Sequence, residues 1–327
     1  MNTRHAAAHP TAPRTHPWRG AALWLGLALA SPWAGATDIL FIGNSFTFGA
    51  GSAVHTWRAD AVTDLNKQGV GGVPALFKAF TLQAGLDYKV ALETQGGAGI
   101  DWHLQHKLPL IGQRPWDVVV MHGFSTLDAD KPGDPTKLIA SAKQMARFLA
   151  GHNPKVDVRL LATWPRADQT YPITGAWHGQ PITAMGRDVR AGYEQAAAAA
   201  VPTVKGVIPV GDAWLRAKAQ GVADANPYDG IEPGQVNLWA RDHYHASSHG
   251  SYLEALVVFG AITGRDPRSL GDRECAAFEL GLSTAQTAAL QQVAFDELAS
   301  RGSVQPAPPK PSPATPATPA ASCPRWH

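Results

Sequence analysis

The chain has 327 residues, 45% of them hydrophobic and 17% charged, with a formal net charge of +2. That hydrophobic share is ordinary for a globular protein, and the length admits one large domain or two small ones. With so little net charge and no basic stripe interleaved with aromatics, there is no electrostatic case for a nucleic-acid partner.

The first 36 residues are organised as a secretory signal. Arg4, Arg14 and Arg19 supply a positive start, and "GAALWLGLALA" (20–30) is an apolar run. "SPWAGA" then ends in Ala34-Gly35-Ala36, a small-x-small cleavage site before Thr37. An uncleaved anchor is the competing reading, but the run is short for a bilayer and Pro32 interrupts it. The expectation is an exported protein, periplasmic or secreted, with no stable membrane insertion after cleavage.

From Thr37 onward apolar β-branched runs alternate with helical patterns. "DILFIG" (38–43), "YKVALET" (88–94), "WDVVVMHG" (116–123), "VDVRLLATW" (156–164) and "GVIPVG" (206–211) read as strands. Continuous runs such as Val118-Val119-Val120 suit strands covered on both faces. Helical spacing and good helix formers mark 73–85, 135–152 and 182–200 between them, and 247–264 and 283–302 after them. Residues 166–181 form a long connection suited to walling a cleft. The alternation predicts an α/β domain over 37–302 around a parallel sheet of about five strands. In such sheets sites lie at the carboxyl ends of strands, where Ser45 falls.

The end of the chain, 303–327, is Pro/Ala-rich and reads as a disordered tail. The two cysteines, Cys275 and Cys323, suit one disulfide in an exported protein, although sequence alone does not establish their proximity.

In "RDHYHASSHG" (241–250), Asp242 and His245 are three residues apart, just before a helix that Ser247 or Ser248 would cap. A turn there lets the carboxylate hold one imidazole nitrogen protonated and leaves the other free to take a proton from a serine. Taken alone, the segment reads better as a polar loop whose histidines cap the next helix.

Together "ILFIGNSFTFG" and "DHYHASSHGSYLEA" resemble the first and last blocks of the SGNH, or GDSL-type, serine hydrolases. "TQGGAGIDWHLQH" (94–106) resembles the second block, in the branch with a Gly-Asn-Ser-Phe first block. The resemblance implies a three-layer α/β/α flavodoxin-like fold and ester hydrolysis through an acyl-enzyme. It makes Ser45 the nucleophile, His245 the general base and then acid, and Asp242 the orienting carboxylate. The backbone N–H groups of Ser45 and Gly97 would face the oxyanion. One departure stands out: where the third block has Gly-x-Asn, this chain reads His122-Gly123-Phe124-Ser125, so Ser125 or His122 would donate instead, or a backbone group would suffice.

For substrate, Trp57, Trp102, Trp164, Trp177 and Trp239 are candidates for stacking on sugar rings, although core packing is the favoured reading of each. Trp102 and Trp164 are preferred because each follows a predicted strand on the active-site side. The expected partner is a small-molecule or polysaccharide ester, with deacetylation of a carbohydrate preferred; no cofactor is implied. An O-acyltransferase and a non-catalytic carbohydrate-binding protein on the same fold are the alternatives. A metal cluster of His243, His245 and His249 is a weaker one, since neither His-Glu-x-x-His nor a second ligand cluster occurs.

Overall fold

The computed structural model describes residues 1–3 and 35–307, and every element below belongs to the unit that begins at Ala36. Residues 4–34 of the expected signal and 308–327 of the expected tail lie outside the described residues. Six strands form one sheet: β1 (Thr37–Gly43), β2 (Thr63–Asp64), β3 (Tyr88–Thr94), β4 (Val118–Met121), β5 (Asp157–Leu161) and β6 (Val204–Ile208). Their order is β2-β3-β1-β4-β5-β6, and every pairing is parallel. The strand beyond the expected five is β2, whose two residues are too few to show a period.

From β1 the chain passes through β2 to β3 on one side and then returns to β4 on the other. That reversal opens a crevice at the carboxyl end of β1, the place where open α/β sheets bind ligands.

Both faces of the sheet are covered, as the unbroken apolar strands require. Ile39 and Phe41 of β1 join a core with the helices Gly72–Gln83, Val210–Ala219, Ser248–Thr263 and Thr284–Ser300. Leu40 and Ile42, facing the other way, join a second core with Ile100–His106, Thr136–His152 and Ile182–Ala199. The result is the expected three-layer α/β/α fold.

The helix ends follow local chemistry. Ser247 caps Ser248–Thr263 by accepting from Gly250 N at 3.3 Å, and Gly264, at φ +69°, terminates it. Two expectations shift. The strand read over 206–211 ends at Ile208, because Pro209 precedes a helix that already starts at Val210. The body also continues past residue 302: Val304 is buried in the first core, and Ala307 N donates to Asp266 Oδ2 at 3.1 Å. Cys275 is disulfide-bonded, while Cys323 lies outside the described residues. Among the described residues no helix is long and apolar enough to cross a membrane.

One core residue conflicts with its surroundings. Glu254 is fully buried in the helix Ser248–Thr263, and neither carboxyl oxygen has a hydrogen-bond partner among the described residues. Burial therefore pushes its carboxyl well above the usual carboxylate range. A raised folded value means that this group's stability is fully present below the unfolded value and is lost as pH rises towards the folded one. Glu254→Met should accordingly raise the melting temperature more at about pH 8 than at about pH 5. Equal shifts at both pH values in thermal unfolding would show that Glu254 is not held neutral.

Candidate active site

Gly43, Asn44 and Ser45 make the turn that ends β1. Gly43 is there for space: a Cβ would lie 2.1 Å from Thr47 Oγ1 and 2.5 Å from His122 Nε2. Asn44 is buried and joins three strand ends. Its Nδ2 donates to Ala98 O at 2.8 Å, after β3, and reaches Gly123 O at 3.4 Å, after β4. Its Oδ1 accepts from Phe46 N at 3.1 Å. The turn then coils, with Phe48 N donating to Asn44 O and Ala50 N to Ser45 O. Ser45 is 7% exposed, at the open end of the sheet.

The loop before the helix Ser248–Thr263 brings the second group. Asp242 Oδ2 accepts from His245 Nδ1 at 2.6 Å, and Asp242 Oδ1 accepts from the backbone N–H groups of Tyr244 and His245. Burial alone would raise the Asp242 carboxyl. The hydrogen bonds from the His245 ring and from both backbone N–H groups outweigh it and hold the carboxyl below its usual range. The carboxylate thus keeps the proton on Nδ1 and leaves Nε2 as an acceptor.

Ser45 and His245 are brought to neighbouring segments. The Phe46 ring lies 5.9 Å from the His245 ring, and a Cβ on Gly51 would sit 3.8 Å from His245 Cβ. No hydrogen bond joins Ser45 Oγ to His245 Nε2 among the described residues. Catalytic hydrogen bonds are often long in ligand-free sites and tighten when substrate binds.

Gly97 adopts φ +71°, a conformation costly for residues with a Cβ. A Cβ there would meet nothing within 4 Å, so the backbone conformation, not crowding, calls for glycine. The N–H groups of Ser45 and Gly97 are not committed to an acceptor among the described residues. A cleft of about 170 Å³ runs from Gly97 and Gly123 past Phe124 to Trp102 and Lys137. Trp102 borders it, stacked on His106 at 4.5 Å. Ser45 adjoins the cleft through the Asn44 bonds without lining it.

Three other expected positions stand differently. Trp164 is fully buried, sandwiched between Phe46 at 4.0 Å and Trp214 at 4.5 Å, so it cannot stack on a sugar. Trp177 and Trp239 are buried as well. His122 is also shut away from substrate: Nε2 is 2.7 Å from Thr47 Oγ1 and Nδ1 donates to Gly123 O at 3.0 Å. Burial pushes its imidazole down to about 4, and the nearby His103 adds to that against the Gly123 hydrogen bond, so it stays neutral. Ser125 is buried too, and its Oγ accepts from Arg166 Nη1 at 3.0 Å.

Arg166 was not legible as a site residue. Its guanidinium grips Asp168 through Nε at 3.0 Å and Nη2 at 2.6 Å, and it lies 3.6 Å from the Tyr244 ring centroid. It therefore ties the end of β4 to the loop carrying His245. The signal available was "WPRAD" at the end of a strand, an arginine and an aspartate two apart. Among the described residues no three or more His, Cys, Asp or Glu side chains converge as a metal-binding group.

No protein-family model matches the chain, and no curated protein matches it. Among solved structures, a DUF4886 family protein from Bacteroides uniformis is similar at 17% identity and TM-score 0.56, covering 83% of this chain and 97% of that one. A family 3 carbohydrate esterase from Clostridium thermocellum matches at 15% identity and TM-score 0.45, over 68% and 94%. The acetyl xylan esterase AlAXEase matches at 16% and 0.48, over 69% and 99%. The first establishes a shared fold; the other two are too distant to weigh. That fold is the one the SGNH resemblance implies.

Asn44 supplies the clearest structural test. Asn44→Ala removes two side-chain donors and an acceptor from buried backbone partners. It should cost about 1–3 kcal/mol in chemical denaturation. An unchanged unfolding midpoint would mean that the strand ends hold together without it.

Proposed function

We propose that this chain is an exported SGNH-type serine esterase that works through an acyl-enzyme and removes acetyl groups from a carbohydrate. The observation that carries the reading is the hydrogen-bonded Asp242–His245 couple beside the Ser45 turn at the switch point of the sheet. The cleft between Gly97 and Trp102 supports a small acyl group and an adjoining sugar, with Trp102 as its aromatic wall. The signal-like start of the sequence supports export.

In this reaction Ser45 Oγ attacks the ester carbonyl while His245 Nε2 takes its proton. Asp242 keeps the ring in the required tautomer and stabilises the imidazolium that forms. The carbonyl oxygen gains negative charge and is met by the N–H groups of Ser45 and Gly97; each such donor contributes about 10²–10³-fold in rate. The tetrahedral intermediate collapses, the alcohol leaves with the proton from His245, and Ser45 carries the acyl group. Water then gives a proton to His245 and attacks the acyl carbonyl, releasing acid and free serine.

The test is a panel of acetylated polysaccharides and p-nitrophenyl esters of increasing chain length, run beside an organophosphonate probe. Ser45→Ala should lower turnover by about 10³-fold or more and abolish labelling. Equal turnover by both proteins would remove Ser45 from the mechanism. A folded wild type that neither turns over an ester nor takes the label would point to a non-catalytic role.

A further inference from the structure

A second carboxylate–imidazole pair lies behind the turn and has no part in the chemistry above. Glu93, next to the end of β3, and His103, in the helix Ile100–His106, are both completely buried. Glu93 Oε2 is paired directly with His103 Nδ1. The opposite ring nitrogen, Nε2, lies 3.0 Å from the carbonyl oxygen of Gly43, two residues before Ser45. A carbonyl only accepts, so Nε2 carries a proton, while Nδ1 faces the Glu93 carboxyl. The other carboxylate oxygen is 3.1 Å from Asn66 Nδ2, which also donates to Thr94 O at 2.9 Å. Lys107 holds Asn66 Oδ1 at 2.7 Å. Glu93 Oε1 and His103 Nε2 are thus hydrogen-bonded, while Glu93 Oε2 and His103 Nδ1 meet each other without a further partner among the described residues.

We propose that Glu93 and His103 are positioning residues for the nucleophile: they fix the Gly43 carbonyl and through it the presentation of Ser45. A pair with no exposure is a poor source of stability, since desolvation offsets most of its attraction and apolar replacement is often neutral. Its geometry accounts for it better. The Gly43 peptide is gripped by His103 on its carbonyl and crowded by Thr47 and His122 where a Cβ would be. Gly43 O also accepts from Gln95 N at 3.1 Å, so the same atom registers β1 against the loop that carries Gly97. One buried donor therefore sets the nucleophile and one oxyanion donor relative to each other. Misplacement of such groups by about 1 Å costs on the order of 100-fold in rate.

This inference rests on the esterase reading, and its experiment separates the two. The second-order rate of organophosphonate labelling at Ser45, the final labelling stoichiometry and the melting temperature are measured for wild type, Glu93→Gln, His103→Gln and His103→Leu. An unlabelled wild type defeats the esterase reading itself. With wild type labelled, Glu93→Gln should reach full stoichiometry about tenfold more slowly. His103→Gln, whose amide keeps an N–H near the Nε2 position, should retain more rate than His103→Leu. Labelling rates equal to wild type in folded variants overturn the proposal, as do rates that merely follow melting temperature. Should the variants not fold, histidine NMR of the wild type decides. A slowly exchanging Nε2–H proton on His103 supports the assignment, and a ring without one overturns it.

Discussion

Everything at the carboxyl edge of the sheet depends on how closely other groups approach the Gly43 peptide. With no Cβ at Gly43, Thr47 and His122 close in on one side, while His103 and Gln95 meet its carbonyl. Asn44 then extends the same grip to the loops after β3 and β4. Hydrogen bonds, rather than side-chain bulk, define this corner, and each is modest by itself. A net value near 1 kcal/mol per bond is typical, with a much larger penalty when a buried partner is left unmet. Losing the Asn44 amide would take a donor from the Ala98 and Gly123 carbonyls at once.

The helices and strands were legible because burial on both faces writes continuous apolar runs, and exposed helix flanks write a 3.6-residue period. Five strands and five long helices lie where those patterns put them, with boundaries differing by a few residues. The helix Val210–Ala219 was obscured because its first residues extend the apolar run of β6 across Pro209. Val304 was misplaced into the tail because one valine among prolines and polar residues carries no period, yet the first core receives it.

The site was legible only where chemistry sits in short range. Asp242 and His245 are three residues apart, and the loop lets them meet as expected. Ser125, His122 and Trp164 were judged by their position after strands, which says that a residue lies at the right edge but not whether it faces the cleft. His122 turns inward to Thr47, Trp164 packs behind Phe46, and Ser125 is taken by an arginine 41 residues away. Arg166 and Glu93 act through partners distant in sequence. Glu93 did leave a trace, an acid directly after the apolar run Val90-Ala91-Leu92 of β3. Such a residue signals a buried partner without naming it.

The aromatic column behind Ser45 has a consequence for how the protein can change. Phe46, Trp164 and Trp214 stack face to face, tilted by only 8° and 5° at successive contacts, and Trp239 meets the far end edge-on. Flat rings in series leave no slack to absorb a lost or added atom, because well-packed interiors transmit strain. The column therefore acts as a strut from the helix Val210–Ala219 to the residue beside Ser45. Variation at Trp214, which does not line the cleft, would be constrained as tightly as variation beside Ser45. Durability and the placement of Ser45 must drift together along that line.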